Sequence, residues 1–507
     1  AVVEAMAALV EGGGGSGGGG SRRLSVSGAM VSSVTRTSAV ILAGSSGSRL
    51  FPLTTGKPKA LLPIANTPCL GLLLACLERN GFREVFLVTT EDFREMVSSF
   101  LTDFEGAIAI HLEVNPDTVG TADAIRTLYR ENKLKGESVL VIPGECVVER
   151  QVHDLLDKHQ RTDADLTILM VKEPPPQLEK GKKGNKPRKR DEEDIEFVGL
   201  AQQDRIIFKK PLVAVEEELT IPKTLLARTS LTGSGSKVHA RSNLTDTQTL
   251  VLSRWVLELL DADDQFKSIK NDLVPYLIRR QLHSLSEASS GKASSVSRAR
   301  SGAGSEPTAP GQPLPLRRTD SDGAMPRPRA TDERAPKDNG PDLETCRCFA
   351  LVVDRADPSA LGPSSICTLR ANTIHSFLEM NREVVAWPTA LAPWGALSSG
   401  TRLGPFSLVG KDTAGATTPK NVNVTVVGAG CEIGPGAKLN QSIVMSGAKI
   451  GAESLVQHSV VGVGAKIGEK CKLMDCQVGD GYEVPDGTSA KGESFSDNAQ
   501  SGQEMWW

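Results

Sequence analysis

Residues 42–64 read LAGSSGSRLFPLTTGKPKALLPI. They continue a short apolar run, residues 38–43 (SAVILA), that stops at Gly44, the pattern of a strand buried on both faces. The small residues from Gly44 to Gly47 let the main chain approach an anion, and successive backbone N–H groups there can face it. Arg49 adds a guanidinium fork suited to phosphate oxygens. Lys59 places a second cation on a Pro-stiffened turn. A Gly-Ser turn alone means little. Two cationic loops in this order, directly behind a buried strand, point to an anion site at the carboxyl edge of a parallel sheet.

The flanking sequence supplies such a sheet. Strands are predicted over 84–90, 107–114, 138–143 and 164–171, and helices over 69–81, 120–131 and 150–160. Strand–helix alternation implies a mostly parallel sheet covered on both faces. Ligands then bind beyond the carboxyl ends of the strands, so the loop after Pro143, with Gly144 and Glu145, is the second place to look. A further strand over 348–353 and a helix over 373–385 complete this part.

From Val427 the chain repeats every 17 residues. Ile433, Ile450, Ile467 and Val484 form one column, Val427, Val444, Val461 and Val478 a second, and Leu439, Val456 and Leu473 a third. Apolar steps of six, six and five give three short strands per coil, each with one aliphatic side chain inward, hence a triangular β-solenoid. No His or acid recurs in the columns, so their role is packing.

These stretches resemble the nucleotidyltransferases that join a nucleoside triphosphate to a sugar phosphate. The shared elements are the Gly-rich loop with Arg49-Leu50, Pro52-Leu-Thr54, and Pro58-Lys-Ala-Leu-Leu-Pro-Ile64. The segment Gly120-Thr-Ala-Asp-Ala-Ile125 resembles the family's sugar-contacting Gly-Thr-Ala segment, and Gly144-Glu145 stands where active members carry Gly-Asp, the Asp holding magnesium. The 17-residue repeat resembles hexapeptide-repeat left-handed β-helices. The resemblance implies an α/β nucleotidyltransferase-like (Rossmann-like) domain followed by a left-handed parallel β-helix. It implies a pocket made of Gly44, Gly47, Arg49, Lys59, Gly120, Thr121, Asp123 and Glu145. The chain departs from the pattern at Ser45 for Gly, Ser48 for Thr, Thr67 for Lys and Glu145 for Asp, and Asp246 is the sole candidate for a second metal carboxylate. Magnesium tolerates little geometric error. The pocket is therefore expected to be a remnant, with no catalytic residue, no metal ligand and no cofactor.

Three features narrow the resemblance: the basic run 180–190 (KGKKGNKPRKR) before Asp191-Glu-Glu-Asp194, a Ser/Arg-rich insertion, and the Glu379-Met-Asn-Arg382 helix. Together they resemble gamma-type subunits of eukaryotic translation initiation factor 2B, the guanine-nucleotide exchange factor for initiation factor 2. The resemblance implies pairing with an epsilon-type subunit, assembly with an alpha/beta/delta core, initiation factor 2 as substrate, and a place in the cytosol. The stretch after Val484 is too short for the helical exchange domain of an epsilon-type subunit. The rival reading is an active pyrophosphorylase, a mannose-1-phosphate guanylyltransferase or glucose-1-phosphate adenylyltransferase. A third is a free-standing regulatory homologue that binds a nucleotide sugar.

Composition agrees with a globular chain and removes other classes. Lys+Arg 58 against Asp+Glu 61 gives a net charge of −3, against nucleic-acid binding through bulk charge. The longest apolar stretch, residues 69–77, falls far short of the roughly 18 residues of a membrane span. Nine scattered Cys fit reduced thiols better than a disulfide scaffold. The expected organisation is a disordered Gly-rich N-terminus at 1–37, the nucleotidyltransferase-like domain at 38–282, and a disordered insertion at 283–344. The returning strand and helix follow at 345–386, then a connector at 387–420, the β-helix at 421–490 and a tail at 491–507. The basic run is expected to be an exposed loop, since seven cations in eleven residues cannot be buried unpaired.

Overall fold

The computed structural model describes residues 33–45, 47–116, 119–148, 151–173, 195–215, 237–289, 346–355, 368–386, 400–404, 406–415 and 417–497. The expectations for 1–32, for the basic run 180–190 and for most of the insertion expected at 283–344 lie outside them; its first residues differ from expectation, since a helix runs on to Ser289.

The first domain alternates as its apolar runs require. In chain order its elements are β1 (Thr37–Leu42), α1 (Cys69–Arg79), β2 (Glu84–Thr90), α2 (Arg94–Thr102), β3 (Ala109–Asn115) and α3 (Thr121–Arg130). There follow β4 (Ser138–Pro143), β5 (Cys146–Val147), α4 (Gln151–Arg161), β6 (Leu166–Lys172), β7 (Glu196–Leu200), β8 (Ile206–Pro211) and β9 (His239–Arg241). The last are β10 (Leu244–Ser253), α5 (Arg254–Ala262), α6 (Val274–Ser289), β11 (Cys348–Asp354), β12 (Leu369–Arg370) and α7 (Ile374–Ala386). One seven-stranded sheet has the order β11-β6-β10-β4-β1-β2-β3. All of its pairings are parallel except those of β10, which runs antiparallel between β6 and β4. β4, at the centre, is buried along its whole length, as a strand covered on both faces must be. The N-terminal boundary differs from expectation: Ser33 and Val34 are buried and Thr37 already pairs with Ser138, so ordered chain begins before residue 38.

The helix α1 is apolar on all sides, and the structure shows why. Leu70, Leu73, Leu74 and Leu77 pack on the sheet, while Cys69, Leu72 and Cys76 join a separate cluster that reaches the second domain. A helix between two layers needs no polar face. It stops where Gly81 takes the left-handed conformation at φ 90°.

The second domain is a β-helix of three sheets, parallel except where Thr401–Gly404 pairs antiparallel with Ser407–Val409 at the start of one of them. The expected columns pair in register, Val427 with Val444, Ile433 with Ile450 and Leu439 with Val456. It is longer than its repeat suggests. Ser407–Val409 and Ala414–Gly415 already belong to its sheets, within the expected connector. The first coil is offset by eighteen residues, Leu408 pairing with Val426, and that single extra residue hides it from a 17-residue pattern. At the other end, Ser489–Lys491 and Ser494–Phe495 extend two sheets, although the polar sequence after Val484 argues against another coil. Coils pair through main-chain groups, so polar outward residues are no obstacle. Ala490 fills the inward position below Leu473, and the rings of Tyr482 and Phe495 meet in a tilted contact at 5.9 Å.

The two domains share a core. Leu408, Val426, Ile443 and Val460 face outward from one side of the β-helix and pack with Leu50, Leu53, Leu62, Phe377, Met380 and Val384 of the first domain. Ala65 N–H donates to Asn381 Oδ1 at 2.8 Å, and Asn66 Nδ2 donates to the Val427 carbonyl at 2.9 Å. Lys57 pairs with Asp480 at 2.5 Å. Among the described residues no helix is long and apolar enough to cross a membrane.

One corner of the β-helix repeats a left-handed backbone at Val424, Gln441, His458, Asp475 and Gly492. Val424 is the β-branched member, at φ 49°, where the Cβ crowds the carbonyl by about 1–2 kcal/mol. Val424→Asn is expected to raise stability by about 1 kcal/mol in denaturant unfolding, since Asn tolerates this conformation. An unchanged or lower midpoint would show that Val424 packing outweighs its strain.

Candidate functional site

β1 and β4 are neighbours, with Leu42 opposite Pro143, so the loops that follow them emerge side by side at the carboxyl edge of the sheet. Gly44 abuts the end of β2: a Cβ on it would lie 2.8 Å from Thr90 Cγ2. Gly47 has φ 74°, and a Cβ there would meet Lys59 Cδ at 2.4 Å. Lys59 thus lies folded across Gly47, and its N–H donates to the Ser45 carbonyl at 3.1 Å. Thr54 Oγ1 donates to the Gly47 carbonyl at 3.0 Å and fixes the loop from the other side. Arg49 is exposed, close enough for its charge to disfavour protonation of Lys59.

Glu145 is the centre of this group. Its side chain is 4% exposed. Oε1 accepts from Lys59 Nζ at 2.9 Å, from Arg370 Nη2 at 2.7 Å and from Arg370 Nε at 3.1 Å. Arg370 is delivered by β12, which pairs antiparallel with β5, and the Ala371 N–H donates to the Glu145 carbonyl at 2.9 Å. Burial pushes the Glu145 carboxyl up, but Arg370 and Lys59 outweigh it and hold the group at about 2. Burial also lowers Lys59, with Glu145 opposing. The carboxylate is ionised at neutral pH, as its partners require.

The resemblance implies a magnesium ion held here in active relatives, and the donors present do not fit one. The only acid at the position is already bonded to two cations of the chain, and Mg²⁺ needs oxygen ligands in near-octahedral array. Among the described residues no group of three His, Cys, Asp or Glu could hold a metal. Asp246, the candidate second carboxylate, is buried in another pairing: Lys209 Nζ lies 2.9 Å from Asp246 and 2.7 Å from Glu196. Burial pushes the Asp246 carboxyl up, but Lys209 and the Gln248 N–H hold it below its ordinary value.

The remaining pocket residues form a second group, engaged with the segment before α6. A Cβ on Gly120 would lie 2.1 Å from the Lys267 carbonyl, which accepts from Ala122 N–H at 2.9 Å. Thr121 Oγ1 accepts from Ile269 N–H at 3.0 Å, and Asp123 pairs with Arg126 and, at 3.5 Å, with Lys267. The structure therefore brings Gly44, Gly47, Arg49, Lys59 and Glu145 together and gives Gly120, Thr121 and Asp123 contacts of their own. Sequence reasoning missed Arg370. It follows Glu145 by 225 positions, and its one local signal is its place just before the Asn372-Thr373 turn that starts α7.

Residues 38–178 match the nucleotidyl transferase family model, and residues 413–496 match the model of the GMPPB C-terminal domain. The chain is 27% identical over 430 residues to the Dictyostelium discoideum translation initiation factor eIF2B subunit gamma, covering 79% of this chain and 89% of that protein. It is 27% identical over 259 residues to the Schizosaccharomyces pombe subunit gamma, 48% of this chain and 51% of that one. A mannose-1-phosphate guanylyltransferase of Mycobacterium tuberculosis is 32% identical over 138 residues, 26% of this chain and 37% of the enzyme. The similarity that covers most of the chain is thus to a gamma subunit, in agreement with the resemblance carried by the motifs. The mannose-1-phosphate guanylyltransferase similarity covers about a quarter of the chain.

Proposed function

We propose that this chain is a gamma-type subunit of an initiation factor 2B exchange complex, and that its nucleotidyltransferase-like pocket does not turn over substrate. The observation that carries this reading is similarity to a gamma subunit across 79% of this chain and 89% of that subunit's length. The site supports it: a reacting metal would have to displace Lys59 and Arg370 from Glu145, which leaves two buried cations without a counter-ion. In this role the chain pairs with an epsilon-type subunit in the cytosol, joins an alpha/beta/delta core, and helps the assembly release GDP from initiation factor 2. The sheet domain and the β-helix act as one scaffold, since they share a core.

Two measurements test this. Incubated with GTP or ATP, a hexose 1-phosphate and magnesium, the chain is expected to release no pyrophosphate above background. Co-expressed with an epsilon-type subunit, it is expected to co-purify with it and to raise its exchange rate. Turnover near 1 per second or faster restores the enzyme reading. Failure to co-purify removes the gamma-type one.

A further inference from the structure

The large sheet has two ends, and they differ. At one end β11 is shielded, with Arg205 bridging to Phe349. At the other, β3 pairs with β2 along all seven residues and, among the described residues, with nothing on its outer side. No residue of β3 is buried, whereas β2 beside it is largely buried. An open edge is a template for another strand, and proteins usually blunt it with Pro, a bulge or charged side chains, Lys above all. β3 reads AIHLEVN and keeps an unbroken register from Ala109 to Asn115, with no Pro, Lys or bulge, and its one carboxylate, Glu113, is already paired with Lys133.

The sequence of this strand complements itself. We propose that the β3 edge is an interface that takes the same strand of a second copy of this chain, antiparallel about a two-fold axis at Leu112. In that register Ala109 faces Asn115, Ile110 faces Val114, His111 faces Glu113, and Leu112 faces its own copy. Directly opposed residues share a sheet face. The Ile110–Val114 and Leu112–Leu112 pairs therefore extend the face on which Ile110 and Leu112 already pack with Val97 and Phe100 of α2, the helix that also exposes Met96. The His111–Glu113 pairs lie on the opposite face, where His111 already stacks on Phe86 at 5.1 Å. There His111 Nε2 lies 3.8 Å from Glu84 Oε2 and both Glu113 oxygens accept from Lys133 at 2.7 Å, so the pair adds an imidazole N–H to a carboxylate that already holds one cation. A slip of two residues keeps apolar side chains opposed but sets His111 against His111 or Glu113 against Glu113, so the His111–Glu113 match is what selects this register. The inference does not rest on the proposed function.

Sedimentation equilibrium of the full chain, alone and at tens of micromolar, reads the result. Twice the chain mass is expected. Leu112→Lys or Leu112→Glu sets like charges side by side on the axis, so each variant alone is expected to be monomeric. Their equimolar mixture is expected to regain the doubled mass as a mixed pair. His111→Glu, at an exposed position, is expected to weaken the dimer about tenfold without affecting the fold. Far-UV circular dichroism checks each variant, and His111→Glu decides if the Leu112 variants misfold. A monomeric wild type, or a dimer indifferent to His111→Glu and to folded Leu112 variants, overturns the proposal.

Discussion

Ile450→Asp is expected to unfold the β-helix and, in the proposed complex, to abolish recovery with an epsilon-type subunit. Ile450 is 3% exposed and sits between Ile433 and Ile467 in the inward column. The substitution removes a buried aliphatic side chain, about 2–5 kcal/mol for truncation alone. It also places a carboxylate among Ile and Val with no cation inside the prism, a cost of several kcal/mol more. Each coil hydrogen-bonds only to its neighbours, so a break in the middle separates the stack into short pieces. The shared core sharpens the expectation for the first domain. Its two sheet-facing clusters are independent of the β-helix, but the third loses Leu408, Val426, Ile443 and Val460. Hydrogen exchange should therefore show protection retained in β1, β4 and β6 and lost in α7 and at 50–64. Normal pairing with a demonstrably unfolded β-helix would assign assembly to the sheet domain alone.

The legible parts of this molecule are those where one residue type repeats for one reason. The 17-residue columns name their own partners, because every coil solves the same packing problem. The β1 and β4 runs are legible because a strand covered on both faces has no polar position. β10 escaped for the opposite reason. Its start, LTDTQT, alternates polar residues and carries a bulge with Gln248 at φ 58°, so it reads as a loop although its end lies in the core. The coils at each end of the β-helix escaped through one inserted residue and through polar outward faces. The anion-loop residues were legible as a group, but their chemistry was not. Whether Lys59 faces a ligand or a neighbour depends on Arg370, and no local pattern ties β12 to β5. Asp246 shows the same limit: a carboxylate on a strand can serve a metal or a lysine, and Lys209 decides.

Glu145→Ala is expected to destabilise the chain by about 3–5 kcal/mol, because it strands Lys59 and Arg370 as buried, unpaired cations. The acid dependence carries a second signature. Glu145 is held at about 2 in the folded chain, below its ordinary 4.5. A depressed carboxyl contributes stability that is fully present above pH 4.5 and is lost as pH falls towards 2. Its share is on the order of 3 kcal/mol. Glu145→Gln keeps the shape and one acceptor but removes the charge, so it should cost several kcal/mol at pH 7 and progressively less below pH 4. Other paired acids, Asp246 and Glu379 among them, also shape the acid limb. The wild-type minus variant difference isolates Glu145. Urea unfolding of both proteins at pH 7 and pH 3 measures it. A pairing that serves only to neutralise the old site should be replaceable by apolar side chains of similar volume. Lys59→Met, Glu145→Leu and Arg370→Met together are therefore expected to recover most of the loss from Glu145→Ala. A triple variant that folds well but no longer raises the exchange rate of an epsilon-type partner would give these charges a role beyond holding β12 to β5. A Glu145→Gln difference that stays constant from pH 7 to pH 3 would show that the carboxylate does not carry the charge assigned to it.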